Sequence, residues 1–217
     1  MIYVFPDIDK PIRQGDIFTN IPRVSVSLTD LPVVTEGEAQ SVPWVSVASE
    51  GKQIKAVLPV VPVCAIVATQ DCDTITAPEI TLCEIREFKQ VEGKARETTE
   101  HNSWQKIITQ HSRINEKWFY LPPDPKMGFS NKMAVDFRMT IRIPSEDLKG
   151  FLMCRKGSLN ALAKQHFRER IGQFFRRYPY NEWYSLNPEE LLAYEKEHKC
   201  SVDPKYPWQI LPPTSGT

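Results

Sequence analysis

The chain has 217 residues, with 27 Lys+Arg against 27 Asp+Glu and 41% hydrophobic residues. That length gives one large domain, or one domain with an appendage, and that composition excludes wholesale disorder. A net charge of zero argues against a sequence-independent nucleic-acid binder, which needs a cationic surplus over its whole surface.

Proline is frequent, at 18 residues against only 9 glycines. This balance points to short strands joined by stiff loops, and away from a glycine-cradled nucleotide site. The start, Met1 to Lys10, carries neither the basic region nor the apolar run of a signal peptide. The most apolar stretch, Ala56 to Thr69, is broken by Pro59 and Pro62 and is too short to span a bilayer. Cys64, Cys72, Cys83, Cys154 and Cys200 include no CxxC pair. The expectation is a cytoplasmic protein with reduced thiols, no membrane span and no cofactor.

In chain order, Asp16–Phe18 and Val24–Ser27 read as strands flanked by turn signals. A polar, proline-punctuated excursion from Thr29 to Pro43 precedes Gln53–Val61 and Val63–Thr69. The second of these is a continuous apolar run, the pattern of a strand covered on both faces. Ile80–Ile85 alternates well enough to be its neighbour. Pro59 and Pro62 should mark an edge, bulge or bend, because proline cannot donate to a ladder. Residues 97–112 change period, with Trp104, Ile107, Ile108 and His111 on one helical face, an inserted crossover. Trp118–Tyr120, Met133–Val135 and Met139–Ile143 resume the strand pattern around a rigid loop at Leu121–Pro125.

From about residue 145 the period becomes helical. Ser158 is the expected cap of a helix whose apolar stripe runs Leu159, Leu162, Ala163, Phe167, Ile171, Phe174 and Phe175. A second helix is expected from a cap at Asn187, through Pro188, to about Lys199. Strands first and helices last is the α+β order. The expected division is a β domain over 1–150 with the helical insertion, a helical extension over 151–208 packed on it, and a disordered tail over 209–217.

Net neutrality hides an asymmetry. Residues 151–178 hold seven cations against the single anion Glu169. Arg168, Arg176, Arg177, Tyr178, Tyr180 and Trp183 interleave guanidiniums with aromatics, which suits a protein interface or single-stranded RNA. The blander reading is a solvated helix face with core aromatics. Ala68-Thr-Gln-Asp-Cys-Asp-Thr74, directly after the buried strand, is the other distinctive segment. Asp71 and Asp73 are candidate ligands for a hard cation, but equally turn-formers that accept backbone N–H bonds. Two carboxylates beside Cys72 disfavour a reactive thiolate. The four histidines (His101, His111, His166, His198) form no local catalytic or metal signature.

Arg13-Gln-Gly-Asp-Ile-Phe18, Pro62-Val-Cys-Ala-Ile-Val67 and Val135-Asp-Phe-Arg-Met-Thr-Ile141 together resemble the MazF/PemK-like toxin family. The resemblance covers residues 12–28, 53–86 and 132–150. It implies an SH3-like β-barrel, here with an inserted helix and a helical C-terminal extension. It also implies an endoribonuclease with an arginine just before the proline of the second motif. That position is Val61, and the nearest match to the family's Thr/Ser position is Thr81. Without the arginine, a phosphoryl transition state loses its main electrostatic stabiliser. The expectation is therefore a non-catalytic subunit that binds a protein or RNA partner in a prokaryotic stress-response, toxin–antitoxin-related or antiviral defence assembly, in an oligomeric state the sequence does not set. One alternative is a MazF-like endoribonuclease in which Arg13 or Arg23 replaces the arginine, with Thr81 or Asp71 assisting. A second is a metal-dependent enzyme using Asp71 and Asp73.

Overall fold

The computed structural model describes residues 2–35, 37–49, 51, 53–92, 117–175 and 188–199. It divides into two compact units, residues 1–174 and 175–217. In the first, β1 (Tyr3–Val4), β2 (Asp16–Val24), β5 (Val60–Val67), β6 (Glu79–Glu87), β7 (Trp118–Leu121), β8 (Met133–Pro144) and β9 (Arg155–Leu159) form one antiparallel sheet. Its order is β1-β9-β2-β5-β6-β8-β7. The remaining pair, β3 (Leu31–Thr35) and β4 (Glu38–Val42), makes a separate hairpin. Short helices α1 (Trp44–Ala48), α2 (Asp73–Thr76), α3 (Phe88–Glu92) and α4 (Ser145–Gly150) lie in the connections, and the long helix α5 (Ala161–Phe175) follows β9. In the second unit the described helix is α6 (Pro188–His198), where the proline start predicts it. The protein is α+β, with a mostly antiparallel sheet.

The run through Val67 is covered on both faces, as its continuous apolarity requires. Ile66 joins a cluster with Ile17, Val135, Phe137 and Phe167, while Ala65 and Val67 join Phe18, Ile21, Leu82 and Leu148 on the opposite face. Phe167 of α5 packs edge-on to Phe119 (5.4 Å) and against Phe137 (5.8 Å). The two outer strands approach each other. Tyr3 of β1 donates its hydroxyl to the carbonyl of Pro122, just past β7, at 2.8 Å, so the sheet is curled around the first cluster. Gly157 allows this, because a Cβ there would meet the Met127 sulfur at 2.7 Å and the Val4 carbonyl at 3.1 Å.

Several expected pieces are parts of longer strands. Asp16–Phe18 opens a β2 that runs on to Val24, so of the expected strand Val24–Ser27 only the first residue is strand; β2 bulges where Asn20 takes φ +60°, a conformation asparagine tolerates. Met133–Val135 and Met139–Ile143 are one β8 whose register slips between Cys83 and Glu84 of β6. The polar excursion contains the β3–β4 hairpin, whose Leu31 and Val33 are buried.

The sheet also runs past the boundary expected at residue 150, because β9 is inserted between β1 and β2. Ser158 lies in that strand rather than capping a helix; Asn160 Oδ1 accepts the Ala163 N–H at 2.9 Å instead. Leu159 is held in the strand by its N–H bond to the Gly15 carbonyl (3.0 Å). Leu162 and Phe175 of the predicted stripe are exposed, whereas Ala163 and Phe167 are buried. The insertion helix at 97–112, Arg176, Arg177, Tyr178, Tyr180, Trp183 and the tail at 209–217 lie outside the described residues.

Pro62 faces Pro22 across the β2–β5 pairing. At this point β2 has passed its pairing with β9, which ends at Phe18, and β5 has not begun its pairing with β6, which starts at Cys64. Each proline therefore sits where its strand has a free outer edge, as a missing N–H requires. Beyond residue 20 on β2 and before residue 64 on β5, the sheet narrows to a two-stranded ribbon.

Candidate functional site

The turn after β5 places Asp71 beside the loop preceding β2. Its Oδ1 accepts the Gln14 N–H at 2.8 Å, and its Oδ2 is paired with the Arg168 guanidinium of α5. Arg168 Nε donates to Gln14 Oε1 at 2.7 Å, and Gln14 Nε2 donates to the Ala68 carbonyl at 2.8 Å. Asp71 and Arg168, chosen from the sequence for different reasons, thus meet in one clamp that fixes α5 to the sheet. Both oxygens of Asp71 are engaged there. Arg13 stands next to the clamp, and its backbone N–H donates to Asp16 Oδ2 at 3.0 Å. Asp16 in turn pairs with Arg155 at 3.1 Å, both side chains being almost wholly buried.

Thr81 lies on β6 and meets this loop through its backbone. Its carbonyl accepts the N–H groups of Ala68 (2.9 Å) and Thr69 (3.2 Å), and its N–H donates to Thr69 Oγ1 (2.8 Å). Asp73 opens α2, where it accepts the Ala77 N–H on its backbone carbonyl. Cys72 between the two carboxylates is exposed, with its sulfur 3.5 Å from Asp73 Oδ1. Among the described residues no group of three or more His, Cys, Asp or Glu side chains is placed to hold a metal ion. Cys64 and Cys83 behave as core groups, and burial pushes both thiols up to about 12.

A second constellation was not singled out from the sequence. Glu84 of β6 faces Asp136 of β8 in register, and the two side chains are 5% and 1% exposed. Arg23 Nη1 donates to both oxygens of Glu84 at 3.0 Å. Arg138 donates to Asp136 from Nε (2.8 Å) and Nη2 (2.9 Å), and Nη2 also reaches the Val91 carbonyl at 2.7 Å. Between them Arg86 lies 3.8 Å from Glu84 and 4.0 Å from Asp136. The five side chains alternate Arg23, Glu84, Arg86, Asp136, Arg138 across three strands. The available signal was the acid-x-Arg spacing in Glu84-Ile-Arg86 and Asp136-Phe-Arg138, since residues two apart on a strand share a face. What the spacing lacked was the register that sets one pair against the other.

The ladder adjoins the ribbon. Arg23 is the cross-strand partner of Val61, and Val24 that of Val60. Val24, Val60 and Val61 are exposed, the second by 57%, as are Val26 and Leu28 just beyond β2. Ser25 N–H donates to the Pro59 carbonyl (3.1 Å) and Trp44 N–H to the Leu28 carbonyl (2.8 Å), so these segments are neighbours, with the partly exposed Trp44 among them. Val24 and Val60, directly opposite each other, share one face of the ribbon, while Val61 shares the other with Arg23.

No protein-family model matches this chain, and no curated protein shows significant similarity to it. No described helix is long and apolar enough to cross a membrane.

Proposed function

We propose that this protein is a binding subunit that holds a partner protein through the β2–β5 ribbon and the apolar segments beside it. The observation that carries this reading is the cross-strand pair Val24 and Val60, both exposed on one face of the ribbon, with the exposed Val26 and Leu28 following β2. Aliphatic groups gain free energy by leaving water in a protein interface, at about 25 cal/mol per Å², but offer no face on which bases stack, so they favour a protein over RNA as the occupant. The resemblance to the MazF/PemK-like family adds an SH3-like barrel as the scaffold. It also adds a prokaryotic stress-response, toxin-related or defence assembly as the setting. Within that resemblance the arginine position is Val61, and the arginine opposite it, Arg23, gives its Nη1 to Glu84. Of the alternative candidates, Asp71 has both oxygens engaged in the Arg168 clamp. These contacts make binding a better account of the residues than RNA cleavage or metal chemistry.

The test is site-specific photo-crosslinking in the native host, with the probe placed at Val26 or Val60 and, as a control, at the exposed Asn131 on another loop. The expected result is one discrete protein adduct from the two valine positions, resistant to nuclease and lost in a Val24→Asp/Val60→Asp variant when the probe is at Val26. Adducts equal to those from Asn131, or adducts that nuclease removes, would overturn the reading.

A further inference from the structure

We infer that the outer edge of the segment Ala56–Val60 takes up an extended segment of the partner protein as an added β-strand. The inference rests on the binding reading above and specifies how that partner is held.

The direction of the backbone groups defines the edge. Val57 N–H donates to the Pro32 carbonyl (2.9 Å), and the Lys55 carbonyl accepts the Val34 N–H (2.8 Å). The Pro59 carbonyl accepts the Ser25 N–H (3.1 Å), and Val60 and Val61 pair with Val24 and Arg23. Residues 55, 57 and 59 thus turn their backbone groups towards β3 and the end of β2. Successive residues of an extended chain direct these groups to opposite edges. Ala56, Leu58 and Val60 therefore present theirs on the far edge, which β6 joins only from Cys64 onward. No backbone hydrogen bond occupies that edge between residues 56 and 60 among the described residues.

The edge is also unguarded. Residues 56–63 read Ala-Val-Leu-Pro-Val-Val-Pro-Val, without a charged side chain of the kind that keeps exposed edges unpaired. Pro59 removes a donor on the side already paired, and Pro62 ends the open stretch.

These features choose the occupant. Donors and acceptors that alternate every second residue are matched together only by another extended backbone. Ala56, Val57, Val60 and Val61 are exposed and alternate between the two faces, so the added strand carries apolar side chains on both. Self-pairing of two copies would set the same valines side by side and leave both faces in water. A partner segment that continues into a larger chain can cover one of them, so a foreign strand is the better match.

The test uses the full-length protein with isotopically labelled backbone amides, observed by NMR. The probe is a capped Lys-Thr-Val-Thr-Val-Thr-Lys peptide, compared with its fully N-methylated counterpart, which keeps the side chains and loses every N–H donor. The expected result is a saturable shift and slowed hydrogen exchange of the Ala56, Leu58 and Val60 amides, with at least tenfold weaker binding of the N-methylated peptide. Val60→Pro removes one outward donor but no bond to β2, and should weaken binding about tenfold; Val60→Thr keeps the donor and should change it less than about threefold. Unchanged β2 amides show that both variants fold. Equal affinity for the two peptides overturns strand addition and leaves side-chain docking on the ribbon standing. A concentration-dependent dimer that Val60→Pro dissolves assigns the edge to a second copy and overturns the partner strand, and absence of any shift at millimolar peptide overturns it too. Failure of docking itself is read separately, from the Val26 and Val60 crosslinks.

Discussion

The two ends of β2 are built from the same strand and face opposite fates. At its start Asp16, Ile17 and Phe18 are buried, Ile17 and Phe18 are paired on both edges, and Asp16 is locked by its ion pair with Arg155. At its end Pro22, Arg23 and Val24 pair on one edge only, and Val24 is 49% exposed opposite an exposed Val60. The Asn20 bulge lies between them. The first end spends its polar groups on internal partners and contributes stability. The second leaves apolar surface in water and an arginine ladder at its side, an arrangement that contributes little to folding and suits recognition. Proline on both strands of the ribbon also removes N–H donors from its free edges, which limits unwanted strand addition.

The largest expected effect is at the buried end. Arg155→Met leaves the Asp16 carboxylate buried without its cation. It also removes the guanidinium that donates to the carbonyls of Asp7 (2.6 Å), Ile8 (3.3 Å) and Pro11 (3.3 Å). A loss of about 3–5 kcal/mol in denaturant unfolding is expected. A loss below 1 kcal/mol would mean that the two ends of β2 do not differ as described.

The second prediction concerns pH. Desolvation raises the Cys64 and Cys83 thiols from the ordinary 9.0 to about 12 in the folded state. Above pH 9 the unfolded chain releases these protons while the folded chain keeps them, so stability falls as pH rises from 9 towards 12. It is unaffected by these groups below pH 9. The expected slope is at most about 1.4 kcal/mol per pH unit for each thiol. Unfolding titrations between pH 8 and 10 should show the decline, and Cys64→Ala/Cys83→Ala should flatten it.

The smallest effect is at the ribbon. Val24→Thr and Val60→Thr should each change stability by no more than about 0.5 kcal/mol, because both side chains are already in water. A loss comparable to that of a core substitution in thermal unfolding would show that the ribbon is covered within the chain itself.

Much of the sheet was legible from local pattern. The continuous apolar run Val63–Thr69 identified a doubly covered strand, which ends at Val67, Ile80–Ile85 its neighbour, and Pro188 the start of the last described helix. Each of these depends on periodicity or on the geometry of proline, which act within a few residues. Asp71 and Arg168 each stand out by residue type, but their clamp joins residues 97 apart in sequence, and no spacing rule reaches that far. Leu159 shows the same limit: its apolar character fits a helix stripe, yet pairing with Tyr3 and a bond to Gly15 hold it in β9.

The sequence by itself determined the α+β class, the apolar strands, the proline positions and the absence of an arginine at residue 61, because these are properties of residue type and short-range order. Only the tertiary structure decided that Glu84 faces Asp136, that Arg23 reaches across β5 to Glu84, and that Arg86 stands between two carboxylates already bound by other arginines. The physical reason is that a strand's side-chain period fixes which residues share a face, whereas bulges and register fix which strands set those faces against each other.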